Sequence, residues 1–188
     1  MEIRSALRSD APAIAKLHAD SWRFAYRDVL TSDYLDSNAD RDRLSHWVDR
    51  LDSPVAEQRV DVLLREGRLV GFASIFAPHD PELGSFLNNL HVAEDSLRLG
   101  YGTCLMAQVQ AHCFELAPSK AVFLWVVCSN VRAQAFYSRM GATIRAEQQW
   151  EPPGGGSALL YRMAWDSPSE IRVAANNSFK PTPLRGAA

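Results

Sequence analysis

The sequence predicts a mixed α/β fold: a largely antiparallel sheet with helices on both faces. Three observations predict it. Short alternating segments open and close the folded region, as half-buried antiparallel strands do. The run AVFLWVV at residues 121–127 is almost continuously apolar, which suits a central strand covered on both sides. Helical patterns flank that run, giving strand–helix–strand–helix before a final pair of alternating segments.

Residues 2–6 read as a first strand, with Ile3 on one face. Asp10 suits an N-cap, with Pro12 in the first turn of a helix that carries Ile14, Leu17 and His18 and runs on past Trp22 and Tyr26 toward Leu30. A second helix is expected at residues 40–51, with Leu44, Trp47, Val48 and Leu51 as its apolar stripe. Around it, from Asp28 to Asp52, aspartates outnumber the arginines Arg41, Arg43 and Arg50; flanking a pocket, they would favour a cation. Residues 59–65 and 69–76 alternate around Glu66-Gly67, a hairpin signal. A turn-rich link at residues 78–84 leads to a strand at residues 85–92. The longest helix is expected at residues 100–116, with Leu105, Val109, Cys113 and Leu116 on one side. After the central strand, residues 130–140 are helical again, with Gly141 as C-cap. Residues 143–150 and 157–165 form a last pair of strands around a Pro/Gly-rich loop. Periodicity stops after Asp166, which divides the chain into a domain at residues 1–166 and a surface tail at residues 167–188, where Phe179 and Leu184 could dock.

The chain has 188 residues and a net charge of -2, with lysine only at Lys16, Lys120 and Lys180, so no basic surface for nucleic acid is expected. No apolar run is long enough for a membrane span, and the first residues alternate rather than form a signal core. Cys104, Cys113 and Cys128 lie in apolar patterns without metal or redox spacing, which fits a cytoplasmic location, and scattered histidines give no metal site.

Function is concentrated between Leu87 and Leu105. A strand ends near Val92, a short charged link follows, and Gly100 and Gly102 stand where a helix begins. Small residues there leave helix N-terminal amides uncovered, a ready site for phosphate oxygens.

Two segments, LHVAEDSLRLGYGTCLM and NVRAQAFYSRMGA, resemble the pyrophosphate loop and the Asn-x-x-Ala-x-x-x-Tyr-x-x-x-Gly segment of the GCN5-related N-acetyltransferase (GNAT) superfamily, in the family's order. The likeness spans roughly Ile3 to Trp165. It implies a seven-stranded, mostly antiparallel sheet with a splay between the fourth and fifth strands, and acetyl-CoA as the donor. Leu97 stands where the family has Gln or Arg, with Arg98 one residue later. The implied donor site comprises the backbone of Leu90, His91 and Val92, the turn Arg98, Leu99, Gly100, Tyr101, Gly102 and Thr103, and Asn130, Ala133, Phe136 and Tyr137 on the following helix. Val92 would polarise the thioester carbonyl.

Tyr137 is implied as general acid, because a phenol that keeps its proton can deliver it to a departing thiolate; by pattern alone it is a core tyrosine beside Phe136. Candidate bases are His91 and Glu82, with His79 and Asp80 behind them. Trp22, Tyr26, Phe76 and Asn89 are acceptor-side candidates, with Arg23, Trp47 and Trp150 weaker ones. The acceptor expected is a primary amine, with a small cationic molecule favoured over a peptide or ribosomal-protein N-terminus. A non-catalytic acyl-CoA-binding sensor is the competing class, and the family admits a homodimer. The C-terminal tail also resembles the translated ends of integron gene cassettes, a mark of a transferable gene rather than of a function.

Overall fold

The computed structural model describes residues 1–152 and 155–173. Its seven strands are β1 (Glu2–Ser5), β2 (Gln58–Arg65), β3 (Arg68–Asp80), β4 (Gly84–Val92), β5 (Val122–Val127), β6 (Thr143–Trp150) and β7 (Ala158–Trp165). They form one sheet in the order β1-β2-β3-β4-β5-β7-β6. Every neighbouring pair is antiparallel except β4 and β5, which run parallel. Helices α1 (Ala11–Ala25) and α2 (Ala39–Asp52) cover one face; α3 (Tyr101–Leu116) and α4 (Val131–Arg139) cover the other.

Strand alternation sorts the core between these layers. On β2, Leu63 packs beneath α3 while Val62 faces α1 and α2. The α3 layer buries Leu105, Met106, Val109 and Cys113 against β3, β4 and β5. Across that layer His112 Nε2 and Asp61 Oδ2 lie 2.6 Å apart, both buried, tying α3 to β2.

The parallel β4–β5 pair is confined to Ser85 with Val122 and Phe86 with Phe123, whose Phe rings stack at 5.0 Å. Gly84 permits this close approach: a Cβ there would lie 2.1 Å from the Ala121 carbonyl oxygen. Beyond Phe86 the two strands separate, which is the expected splay. The β3–β4 register also shifts, so that Ile75 faces Leu87 but Ser74 faces Asn89, leaving Asn88 as the extra residue of a bulge.

Three local expectations are corrected. Helix α1 ends at Ala25 rather than running toward Leu30, with the Tyr26 N–H bonded to the Trp22 carbonyl as its last link. Asp10 is not a side-chain N-cap of α1: its carboxylate accepts from Arg4 at 2.7 and 3.0 Å and from the Leu7 amide. The strong, charge-assisted Arg4 pair holds it away from the helix. The buried stripe of α2 is Ala39, Arg43 and Trp47, while Leu44 and Val48 are 41 % and 37 % exposed. Trp47 sets that rotation by donating its indole N–H to His18 Nδ1 at 3.0 Å.

Packing continues past Asp166. The Gln110 side chain donates to the carbonyls of Pro168 and Ile171, and Ile171 is buried. Phe179, Leu184 and the cassette-like tail lie outside the described residues.

Candidate active site

The splay opens into a cavity of about 910 Å³ that runs from the N-terminus of α3 to the facing sides of α1 and α2. One wall is the free edge of β4. The Ala93 N–H reaches back to the Val70 carbonyl at 2.9 Å, so alternation turns the N–H and C=O groups of Leu90 and Val92 into the splay. Their side chains pack toward α3. His91 does the opposite: its ring lies on the α1 side, 4.7 Å from His18 and 5.1 Å from Phe72 between ring centres. The facing wall is Leu124, Trp125 and Val126 of β5.

At one end stands the N-terminus of α3. Gly100, with φ of 83°, is its N-cap, and its carbonyl accepts from the Cys104 amide at 3.1 Å. The amides of Tyr101, Gly102 and Thr103 belong to the first turn and have no acceptor within the helix. Gly102 is small because Phe136 of α4 lies on it: a Cβ would stand 3.2 Å from the ring's Cε2 and Cζ. This contact sets Phe136 of α4 against the first turn of α3. Asn130 caps α4, its side-chain oxygen accepting from the Ala133 amide at 3.1 Å. Arg98, with φ of 63°, stands just before this turn, and Arg132 and Arg139 of α4 line the cavity as well, Arg132 lying over the Phe24 ring of α1 at 4.6 Å. Leu97 also lines the cavity, whereas the Leu99 side chain does not and is 52 % exposed.

Tyr137 points from α4 into the middle of the cavity, among Phe136 and Trp165. Burial, reinforced by the nearby Tyr26 phenol, pushes its pKa well above the ordinary phenol value, so it stays protonated at neutral pH.

The other end is built from α1 and α2. Trp22 and Tyr26 sit 6.1 Å apart, and Tyr26 meets Trp150 at 6.4 Å. Arg43 stacks over the Trp22 ring at 4.4 Å, and Arg50 donates to Asn88 Oδ1 at 3.0 Å. His46 completes this side of α2. Burial, with Arg43 and Arg50 nearby, lowers the pKa of His46 to about 4; burial and Arg43 lower that of His91 to about 4.

Most of the expected residues meet here: Trp22, Tyr26, Asn89, Leu90, His91, Val92, Arg98, Gly100, Tyr101, Gly102, Thr103, Asn130, Ala133, Phe136 and Tyr137 all line the cavity. Three do not. Glu82 is exposed in the β3–β4 turn, where the paired end of the sheet keeps it away from the splay. Phe76 belongs to that same paired end, packed against His79 and under the Arg50 guanidinium. Leu99 offers at most its backbone. Arg23 is used structurally, clamping Leu35 O and Asp40.

The acidic run does not face the cavity either. Asp28, Asp33, Asp36, Asp40, Asp49 and Asp52 are exposed on the outer side, and Asp42 is held by Tyr34 and Arg43. What reasoning from sequence missed is the arginine–histidine stripe Arg43, His46, Arg50. Its i, i+3, i+7 spacing was visible beside Trp47, but the competing Leu44–Val48 stripe hid it.

Comparison with known proteins agrees with this architecture. Residues 12–142 match the family model described as the acetyltransferase (GNAT) family. The chain is 29% identical over 155 residues to YuaI of Bacillus subtilis, named as an uncharacterized N-acetyltransferase, spanning 81% of this chain and 86% of that one. Among solved structures, the PaiA N-acetyltransferase of Thermoplasma acidophilum in complex with coenzyme A superimposes with a TM-score of 0.65 at 15% identity, covering 85% of this chain and 96% of that one. YncA of Salmonella typhimurium, a putative acetyltransferase solved with acetyl-CoA, gives 0.63 at 17% identity, covering 88% and 92%. At these identities the structural likeness speaks for the fold.

Proposed function

Because the chain belongs to the acetyltransferase (GNAT) family, we propose that it is an acetyl-CoA-dependent N-acetyltransferase acting on the primary amine of a small molecule. The observation that carries this is convergence. One cavity joins an uncovered helix N-terminus, an unpaired strand edge and a buried phenol that keeps its proton.

The residues present fit the donor. A phosphate-bearing group needs amides and cations, supplied by the first turn of α3 with Arg98 just before it and by Arg132 and Arg139 in the cavity wall. Its amide-bearing arm needs a free strand edge, supplied by Leu90 and Val92, which would hold it as an added strand. When bound, acetyl-CoA supplies an electrophilic thioester carbonyl and a thiolate leaving group. The same edge presents the N–H groups of Leu90 and Val92, either of which can stabilise charge on a carbonyl oxygen. Tyr137 Oη holds a proton that it can give to departing sulfur.

Neither expected base is retained in this reading. Glu82 is outside the cavity, and an imidazole with a pKa near 4 takes a proton from an ammonium poorly. Enclosure among Trp22, Tyr26 and Trp150 instead disfavours the ammonium form, so the amine reaches the thioester neutral and its proton goes to solvent.

The test is thiol release from acetyl-CoA across an amine panel. Tyr137→Phe should lower kcat on the order of 100-fold while leaving CoA affinity nearly unchanged. CoA binding without transfer to any amine, and no effect of the substitution, would favour a sensor over an enzyme.

A further inference from the structure

At the acceptor end of the cavity, three buried polar atoms have no hydrogen-bond partner among the described residues: Arg43 Nε, His18 Nε2 and Asn89 Oδ1. Their senses can be assigned. Arg43 is a donor in every state. His18 Nδ1 already accepts from the Trp47 indole, and burial with His91 and Arg43 nearby keeps the ring neutral, so its proton is on Nε2 and this atom is also a donor. Asn89 Oδ1 is an acceptor. Buried polar groups are nearly always satisfied, so three orphans in the wall of one cavity mark a polar site. The residues that carry these two donors and one acceptor all line the cavity where α1, α2 and the β4 bulge meet.

Charge points the same way. Arg43 is 92 % buried and shares one carboxylate, Asp42, which also accepts from Tyr34. Arg50 bonds Asn88 and, among the described residues, pairs with no carboxylate. The acids that line the cavity are Asp20, engaged by Lys16 and Arg23, and Glu94, beside the donor end. The acceptor end is therefore cationic, which repels a polyamine and suits an oxyanion.

We propose that the acceptor is an amine carrying its own carboxylate, of the amino-acid type, with the carboxylate held by Arg43, Arg50 and His18 and the amine steered by Asn89. This rests on the N-acetyltransferase reading. The aromatic walls of Trp22 and Tyr26 would lie along its carbon skeleton. Transfer keeps its balance: the N–C bond forms as the C–S bond breaks, and the proton lost by the amine nitrogen replaces the one Tyr137 gives to sulfur.

The test compares amino acids with their carboxamides and decarboxylated amines, and with spermidine, as acceptors for the wild-type protein. It also measures binding of the same compounds to the CoA-saturated protein by calorimetry. Free amino acids should be preferred over their carboxamides on the order of 10- to 100-fold in kcat/KM, as expected for a charge-assisted pair, with a parallel preference in binding. Arg43→Gln should erase most of that preference through KM. Because Arg43 is buried, Arg50→Gln serves as the second variant, and it should narrow the preference by lowering kcat/KM for the acids more than for the carboxamides. Spermidine or the carboxamides used as well as the acids would overturn the inference and leave the acetyltransferase reading intact. No turnover of any compound, with CoA bound, would overturn both.

Discussion

Tyr137 and His91 show how far placement decides chemistry for residues of ordinary intrinsic pKa. Burial lifts the phenol, so Tyr137 should not titrate across the neutral and mildly alkaline range. Any alkaline loss of activity near neutrality would then belong to another group, and a Tyr137→Phe variant should keep the wild-type shape of its pH–kcat profile at its lower rate. His91 was attractive by type alone, but its ring lies on the α1 side beside His18 and near Arg43, and its proton affinity falls to a pKa of about 4. Burial beside Arg43, not residue type or strand parity, removes it from the base role. Asp61 offers a stability test at the same scale. Its carboxylate is buried against His112, so Asp61→Ala should cost about 1–3 kcal/mol in chemical denaturation by orphaning the imidazole, without altering CoA affinity.

At the scale of elements, the donor half was legible in the sequence, and the acceptor half only in part, through Trp22, Tyr26 and Asn89. Gly100, Gly102, Asn130 and Tyr137 act through local geometry: a turn, a helix cap and a fixed spacing along one helix, all written in adjacent residues. The face that α2 presents is decided by a tertiary contact, the Trp47–His18 bond, which outweighed the exposure of Leu44 and Val48. A hydrophobic pattern cannot reveal a stripe of arginines buried on purpose. The end of α1 was missed for a similar reason, because Tyr26 turns out of the helix to meet Trp150. Where α3 meets α4, Gly102→Val should push Phe136 aside and disturb the first turn of α3. CoA affinity should fall on the order of tenfold, and the overpacking should lower folding stability by about 1–3 kcal/mol.

For the whole molecule, the sheet fixes what the site can be. Seven strands close on one another everywhere except beyond Phe86, and this opening places the donor and acceptor ends in one cavity. The same enclosure makes the fold acid-sensitive. His91 and His46 have folded pKa values near 4 against 6.5 when free, and His18 is shifted in the same direction. Between about pH 6.5 and pH 4 the unfolded chain binds protons that the folded chain does not, so stability is full above that window and falls as pH drops through it. The urea midpoint should be lower at about pH 5 than at about pH 7.5, and His91→Phe should flatten part of that difference. An unchanged midpoint would show that these imidazoles are not held neutral.

The central claim is that the splay and the N-terminus of α3 form one donor cradle. A crystal structure of the CoA complex tests it most directly. The pyrophosphate oxygens should lie about 3 Å from backbone amides between Arg98 and Thr103, with the pantetheine arm along Leu90 and Val92 and the sulfur facing Tyr137 Oη. Phosphates bound elsewhere, or an arm lying outside the gap between β4 and β5, would contradict it.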